Sequence, residues 1–82
     1  MPRFLIVSPH THEECDRAFH EVITAGYVTH FDWGCTDGDH TGWVTLEADN
    51  AKEALMVVPS FLRGKAHAVK LAKINTKGEL LP

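Results

Sequence analysis

The sequence lacks any cluster of basic residues and any long apolar run. Its eight Lys and Arg residues are scattered, and the formal net charge is −3. Nucleic-acid surfaces and polybasic membrane patches both need grouped positive charge, so we expect no nucleic-acid partner and no membrane partner. The apolar stretch near the start, residues 4–7, is too short for a signal-peptide core or a membrane-spanning helix. These absences predict a cytoplasmic protein.

Cysteine is also scarce, and the established cysteine and histidine metal motifs are absent. The chain has only two Cys, Cys15 and Cys35, so a disulfide framework like that of small secreted domains is not indicated. No CxxC pair, HExxH helix or calcium-binding loop occurs in the sequence. The two Cys are therefore expected to be free thiols or metal ligands. Any metal site would have to be assembled from residues that lie far apart in the sequence.

What the chain does have is an ordinary globular composition and many His residues for its length. Its 82 residues include 6 His and are 44% hydrophobic and 23% charged, which predicts a single folded domain. We place that domain at residues 1–74 and expect residues 75–82 to form a loosely ordered tail. Because so short a chain buries a modest core, a bound metal or a second copy of the chain would add stability.

Hydrophobic periodicity and capping signals define the order of the secondary structure. Strand patterns cover residues 3–8, 27–33, 42–48 and 67–74, and helix patterns cover residues 12–25 and 51–63. Thr11 with Glu14, and Asn50 with Glu53, have the capping-box spacing at the two helix starts. Pro59 is expected to bend or break the second helix. The order predicts an α+β domain of ferredoxin-like type, βαββαβ. Its four-stranded antiparallel sheet would have the order 4-1-3-2 and two helices on one face.

This topology brings several His and Cys residues to one end of the sheet. His10 and His12 follow the first strand, Cys35 and His40 lie in the loop after the second strand, and His67 opens the fourth. Imidazole nitrogen and thiolate sulfur are the ligands that zinc, nickel and copper prefer. We therefore predict a transition-metal site formed by these five residues.

Each candidate ligand also has a simpler interpretation. Turn, loop and surface positions also account for the His residues and for Cys35. Cys15 begins the core-facing stripe of the first helix, where a thiol packs like a small apolar side chain. That stripe consists of Cys15, Ala18, Phe19, Val22 and Ile23. The sequence thus favours a core role for Cys15 and leaves the roles of the other residues open.

The helix-free face of the sheet offers a second candidate site. If the second and third strands pair as a hairpin, His30 lies opposite Thr45 and Asp32 opposite Trp43. A partly apolar open face favours a homodimer with a cavity between the two sheets. In such a cavity His30, oriented by Asp32, fits the general base of an isomerase or oxygenase acting on a small organic ligand. The same two residues also fit polar contacts in a dimer interface.

The element order and the one-sided sheet resemble the dimeric α+β barrel superfamily over about residues 3–74. One stretch is similar to a signature of a subgroup of small bacterial proteins: Asp32, Trp33, Gly34 and Cys35, followed by Asp37, Gly38, Asp39, His40 and Trp43. The resemblance implies a ferredoxin-like fold and a homodimer. Because this superfamily hosts many chemistries, the resemblance implies no particular reaction.

Overall fold

The structure, a computed structural model, describes residues 1–26 and 30–81. The strands in this part of the chain are β1 (Arg3–Pro9), β2 (Asp32–Trp33), β3 (Thr41–Glu47), β4 (His67–Leu71), β5 (Lys73–Ile74) and β6 (Leu80–Leu81). The helices are α1 (Cys15–Ala25) and α2 (Ala51–Ala54), and 3₁₀ turns cover Cys35–Asp37, Leu55–Val57 and Ser60–Leu62. None of the helices among these residues has the length and apolar content that crossing a membrane requires.

The central strand of the main sheet is β1, whose two faces are both apolar. Phe4 and Ile6 are buried on the helix side, whereas Leu5 and Val7 are half-buried on the opposite side. β3 and β4 pair antiparallel with β1, and β2 pairs antiparallel with β3, so the strand order is β2-β3-β1-β4. The predicted α+β class, with a four-stranded antiparallel sheet and two helices, is confirmed.

The hydrophobic core lies between the helical segments and one face of this sheet. Ala18 and Val22 of α1 and Ala54 of α2 are buried in one cluster with Phe4 and Ile6. The cluster is completed by Phe31, Val44, Ala48, Val57, Val58 and Leu62. Burying one side chain such as Ile6 contributes about 1.5–3 kcal/mol, so this cluster is the main source of stability.

The predicted capping box forms, although α1 starts at Cys15 rather than at residue 12. The Thr11 amide donates to Glu14 Oε1 (2.8 Å), and the Glu14 amide donates to Thr11 Oγ1 (3.2 Å). Gly26 ends the helix with a φ of 83°, and its amide donates to the Ile23 carbonyl (2.9 Å). Ile23 was predicted to face the core but is 53% exposed. The buried stripe of α1 is centred on residues 18 and 22, and a helix turns about 100° per residue, so residue 23 falls outside it.

The second helix is much shorter than predicted. Asn50 Oδ1 accepts a hydrogen bond from the Glu53 amide (2.9 Å) and caps α2 as expected. The α-helix ends at Ala54, and 3₁₀ turns replace most of the segment up to residue 63. Val58, directly before Pro59, has an extended backbone (φ −83°, ψ 135°). A proline ring disfavours helical geometry in the preceding residue, so Pro59 interrupts the helix already at Val58.

Among the described residues, the second strand covers less of its predicted range than expected. Residues 27–29 lie outside the described residues, His30 is in a turn, and β2 begins at Asp32. The predicted pairing of Asp32 with Trp43 is confirmed. The predicted pairing of His30 with Thr45 is not part of the ladder, because the strand starts after residue 30.

The predicted last strand, residues 67–74, is divided into β4 and β5 at the point where its partner β1 ends. β4 pairs with β1 as far as Leu71 opposite Arg3, which is the first residue of β1. Beyond this point β1 offers no further pairing positions, and β5 instead pairs with β6. The resulting hairpin occupies part of the segment expected to be a loose tail.

Candidate metal centre

Backbone hydrogen bonds join the two chain segments that carry most of the candidate ligands. The β1–β3 ladder ends with Pro9 opposite Thr41, and one further bond runs from the His10 amide to the His40 carbonyl (2.8 Å). Burial alternates along β1 and continues to His10, which is buried on the helix side. The residues that follow β1 and precede β3 therefore meet at one end of the sheet.

A tight loop presents Cys35 to this end of the sheet. The 3₁₀ turn Cys35–Asp37 is closed by Gly38, whose φ of 84° lies in the left-handed region that glycine tolerates. The Gly34 carbonyl accepts hydrogen bonds from the Asp37 and Asp39 amides (2.9 and 3.0 Å). A Cβ at position 34 would lie 2.6 Å from the Asp39 carbonyl oxygen. Close packing of the backbone therefore requires glycine directly before Cys35.

Helix α1 brings its first residue, Cys15, to the same place. Cys15 Sγ lies 3.5 Å from Cys35 Sγ, and Cys35 Sγ lies 3.3 Å from His10 Nε2. Together with His40 these residues form a group whose potential ligand atoms all lie within 4.8 Å of one another. His10 is 7% exposed, and the other three residues are half-buried. Two imidazoles and two thiols thus meet where four chain segments converge.

The spacing of these atoms is close to that of a tetrahedral zinc site. Bond lengths of about 2.3 Å for Zn–S and about 2.05 Å for Zn–N imply about 3.8 Å between two sulfurs and about 3.6 Å between sulfur and nitrogen. The observed thiol–thiol distance of 3.5 Å and the Cys35–His10 distance of 3.3 Å are each shorter by about 0.3 Å. Small side-chain rotations therefore suffice to admit an ion.

Two buried ring nitrogens in this group have no hydrogen-bond partner among the described residues. They are Nδ1 of His10 and Nδ1 of His40. Buried polar atoms are nearly always hydrogen-bonded, so two unpaired nitrogens in one cluster need an explanation. Binding of an ion would use one nitrogen of each ring: Nδ1 of His40 is available for this, whereas His10 is placed to bind through Nε2, which leaves its own Nδ1 unexplained by the ion.

Burial favours the uncharged forms of two members of the group. It lowers the pKa of His10, because the imidazolium form loses solvation. A backbone contact with Ser8 raises this pKa by a smaller amount, although the contact falls short of hydrogen-bond geometry. Burial also raises the pKa of the Cys15 thiol, and the neighbouring Cys35 adds to this shift. Neutral imidazole is ready to bind a metal, whereas Cys15 must release its proton on binding.

Aromatic side chains connect the group to the rest of the fold. The Trp33 ring is edge-on to His10, with centroids 6.1 Å apart. It also meets Phe19 of α1 edge-on (4.8 Å) and stacks on Phe31 (5.2 Å). A Cβ at Gly42, the strand partner of Trp33, would lie 2.9 Å from the indole ring. The glycine leaves room for Trp33 to lie flat on the sheet beside His10.

His12 and His67, which were also predicted as ligands, are not members of this group. His12 is exposed, and its ring lies edge-on to that of His40 with centroids 5.2 Å apart. His67 pairs with Val7, and paired residues share a face of the sheet, so His67 points to the helix-free side. Cys15, in contrast, belongs to the group although the sequence favoured a core role. The sequence signal for its position was the capping box of Thr11 and Glu14. This box starts α1 shortly after His10 and so places Cys15 near that residue.

The residues of the alternative catalytic hypothesis, His30 and Asp32, are also outside the group. Asp32 is exposed in β2 opposite Trp43, and His30 is exposed in the preceding turn. Strand pairing therefore does not fix His30 beside Asp32.

Comparison with known proteins identifies no relative: no protein family matches the chain, and no match was found among curated proteins or solved structures. Function has to be inferred from the site itself.

Proposed function

We propose that this protein binds a transition-metal ion, and that the ion is Zn²⁺, through His10, Cys15, Cys35 and His40. The observation that carries the proposal is that four potential ligand atoms lie within 4.8 Å of one another. The ligands come from the residue after β1, the start of α1, the 3₁₀ turn after β2 and the residue before β3. Both cysteines of the chain belong to the group.

The donor set favours zinc over the other candidate ions. Two thiolates with two imidazoles are a recurrent ligand set of tetrahedral zinc sites. Calcium and magnesium prefer oxygen ligands, and Cu²⁺ and Ni²⁺ favour square-planar nitrogen and oxygen donors. The distances of 3.5 and 3.3 Å within the group are compatible with a tetrahedron, and the choice of zinc rests on the donor set. A site with two reduced thiols also favours a reducing compartment such as the cytoplasm.

Four protein ligands fill the coordination shell of a tetrahedral ion. Catalytic zinc sites keep one position open for water or substrate, so this set supports binding of the ion rather than zinc catalysis. The alternative function, a small dimeric isomerase or oxygenase that uses His30 and Asp32, has less support. Its proposed base, His30, lies in a turn outside β2, the strand that carries Asp32, which was expected to orient it.

The test is the metal content and zinc affinity of protein purified without a His tag. We expect one Zn²⁺ per chain, held in competition with a chromophoric chelator under reducing conditions. Cys35→Ser and His40→Ala should each weaken binding, because each removes one ligand. His67→Ala is the matched control, because it removes a His on the opposite face of the sheet. Unchanged stoichiometry and affinity in both ligand variants would rule out this site.

We also propose that the chain forms a homodimer through its helix-free face, as the dimeric α+β barrels of ferredoxin-like fold do. The strand order supports this, since it is 4-1-3-2 from the β4 edge. Leu5, Val7 and Trp43 lie on this face, where Val69 is 46% exposed. A cavity between two such sheets would accept a small organic ligand. Sedimentation should show a dimer that Val69→Glu converts to a monomer; a monomeric wild type would contradict the proposal.

A further inference from the structure

We propose that Cys15 and Cys35 form a reversible oxidation site, at which a peroxide converts the two thiolates into an intramolecular disulfide and thereby releases the bound ion. The inference rests on the proposed zinc site and adds a means of regulation to it. It starts from the contact between the only two thiols of the chain, whose sulfur atoms are 3.5 Å apart.

The positions of the two cysteines allow a disulfide to form. A disulfide bond is about 2.05 Å long, so the sulfurs must approach each other by about 1.5 Å. Cys15 is the first residue of α1, and Cys35 is the first residue of a 3₁₀ turn that lies between Gly34 and Gly38. Neither residue is in the interior of a helix or strand, where backbone hydrogen bonds would resist such a shift.

Both thiols are also accessible to a small oxidant. They are free and half-buried, unlike the fully buried apolar side chains of the core. A sulfenic acid formed at one cysteine has the second thiol within contact distance. Condensation with a neighbouring thiol is the usual fate of a sulfenic acid in such a pair, and it precedes oxidation to the irreversible sulfinic acid.

The reaction balances with hydrogen peroxide as the oxidant. One thiolate attacks a peroxide oxygen, the O–O bond breaks, and the products are a sulfenic acid and hydroxide, which takes up a proton. The second thiolate attacks the sulfenic sulfur, the S–S bond forms, and hydroxide leaves and is protonated to water. In total two thiolates, one H₂O₂ and two protons give one disulfide and two waters. The two electrons lost by sulfur are gained by the peroxide oxygens.

Loss of the thiolates removes half of the ligand set. The thiolate, not the disulfide, is the form of cysteine that binds metal. Only His10 and His40 would remain, held together by the bond between the His10 amide and the His40 carbonyl. Two imidazoles do not complete a tetrahedral shell, so the ion is released into solution. A dithiol reductant reverses the reaction and restores the four ligands.

The experiment treats the zinc-loaded chain with H₂O₂ and measures two products separately. A chromophoric chelator reports free Zn²⁺, and peptide mapping by mass spectrometry reports the Cys15–Cys35 disulfide. We expect one equivalent of Zn²⁺ released per disulfide formed, and full rebinding after addition of dithiothreitol. His40→Ala is the informative variant, because it weakens zinc binding but keeps the thiol pair and should still form the disulfide. Cys35→Ser should form no intramolecular disulfide.

The possible outcomes separate this inference from the proposed function. If Zn²⁺ binds but peroxide leaves both thiols reduced, or yields sulfinic acids or disulfides between chains, the oxidation site is overturned and the zinc site stands. If the zinc titration that precedes oxidation shows no binding, the proposed function fails and release of the ion fails with it. The wild-type chain without zinc then shows by mapping whether the thiol pair alone is oxidised.

Discussion

Replacing Cys15 by Ser is the sharpest test of the metal site, because the thiol has two competing explanations. It is either a ligand or the half-buried start of the core-facing stripe of α1. Structural Zn²⁺ sites bind with about 10–16 kcal/mol, which averages about 2.5–4 kcal/mol over four ligands. Loss of one ligand should therefore weaken zinc binding on the order of 10²- to 10³-fold. Ser has nearly the same shape as Cys, so the zinc-free fold should change by about 1 kcal/mol or less.

The assay is competition with a chromophoric chelator at neutral pH, with Co²⁺ absorption as a second readout. Thiolate-to-cobalt charge-transfer absorption should decrease in Cys15→Ser, because one of two thiolates is lost. His20→Ala, an exposed position on the same helix, is the control for a general effect on α1 and should bind as the wild type does. If Cys15→Ser binds zinc within a factor of about three of the wild type while Cys35→Ser does not, Cys15 is a core residue and the reasoning is wrong.

Three further predictions concern stability. Zn²⁺ at a hundredfold excess over its Kd should add about 2.7 kcal/mol and raise Tm by roughly 10–20 °C, reversibly with EDTA; an unchanged melting curve would contradict zinc binding to the folded chain. Gly34→Ala places a Cβ 2.6 Å from the Asp39 carbonyl oxygen and 2.9 Å from the Trp43 ring. It should cost about 1–3 kcal/mol, and a wild-type urea midpoint would refute this. The hydrogen bond from Lys65, together with the one from the Thr11 amide, lowers the pKa of Glu14 to about 2. This group stabilises the fold above its ordinary pKa of 4.5, and the contribution is lost as the pH falls towards 2. Lys65→Met should raise the pKa of Glu14 in an NMR titration, whereas an unchanged titration would exclude the ion pair.

The parts of the fold that could be predicted are those with local signals. β3 lies within one residue of its predicted bounds, because the alternation of buried and more exposed residues from Gly42 onward is a direct consequence of strand geometry. The Thr11 capping box and the Gly26 helix end are likewise set by a few neighbouring residues. The division of the last strand could not be predicted in this way. It depends on where β1 begins opposite Leu71, which is a property of the folded pair and not of either segment.

For the candidate site, the topology could be predicted from the sequence, but the direction of individual side chains could not. Strand order alone places His10, Cys35 and His40 at one end of the sheet, and the structure brings these three together. Strand order does not determine on which face of the sheet a residue lies. His67 lies at the same end but on the face opposite to His10. Cys15 was assigned to the core because helical periodicity explains a half-buried thiol as well as a ligand does. The contact with Cys35 is the observation that favours the ligand role.

The four candidate ligands lie outside the hydrophobic core, and this bears on what a bound ion could do. Zinc fingers are unfolded without metal because their cores are too small to fold alone. This chain has a core cluster built from the sheet, α1 and α2, and none of the four candidate ligands belongs to it. The ligand-bearing segments are already joined by the His10–His40 backbone bond, so the group is largely preformed before an ion arrives. A preformed site on a folded domain loses little conformational entropy on binding, and we expect the domain to stay folded when the ion is lost. Such a site suits an ion that is exchanged or released, as oxidation of Cys15 and Cys35 would require, rather than one that is a permanent part of the fold.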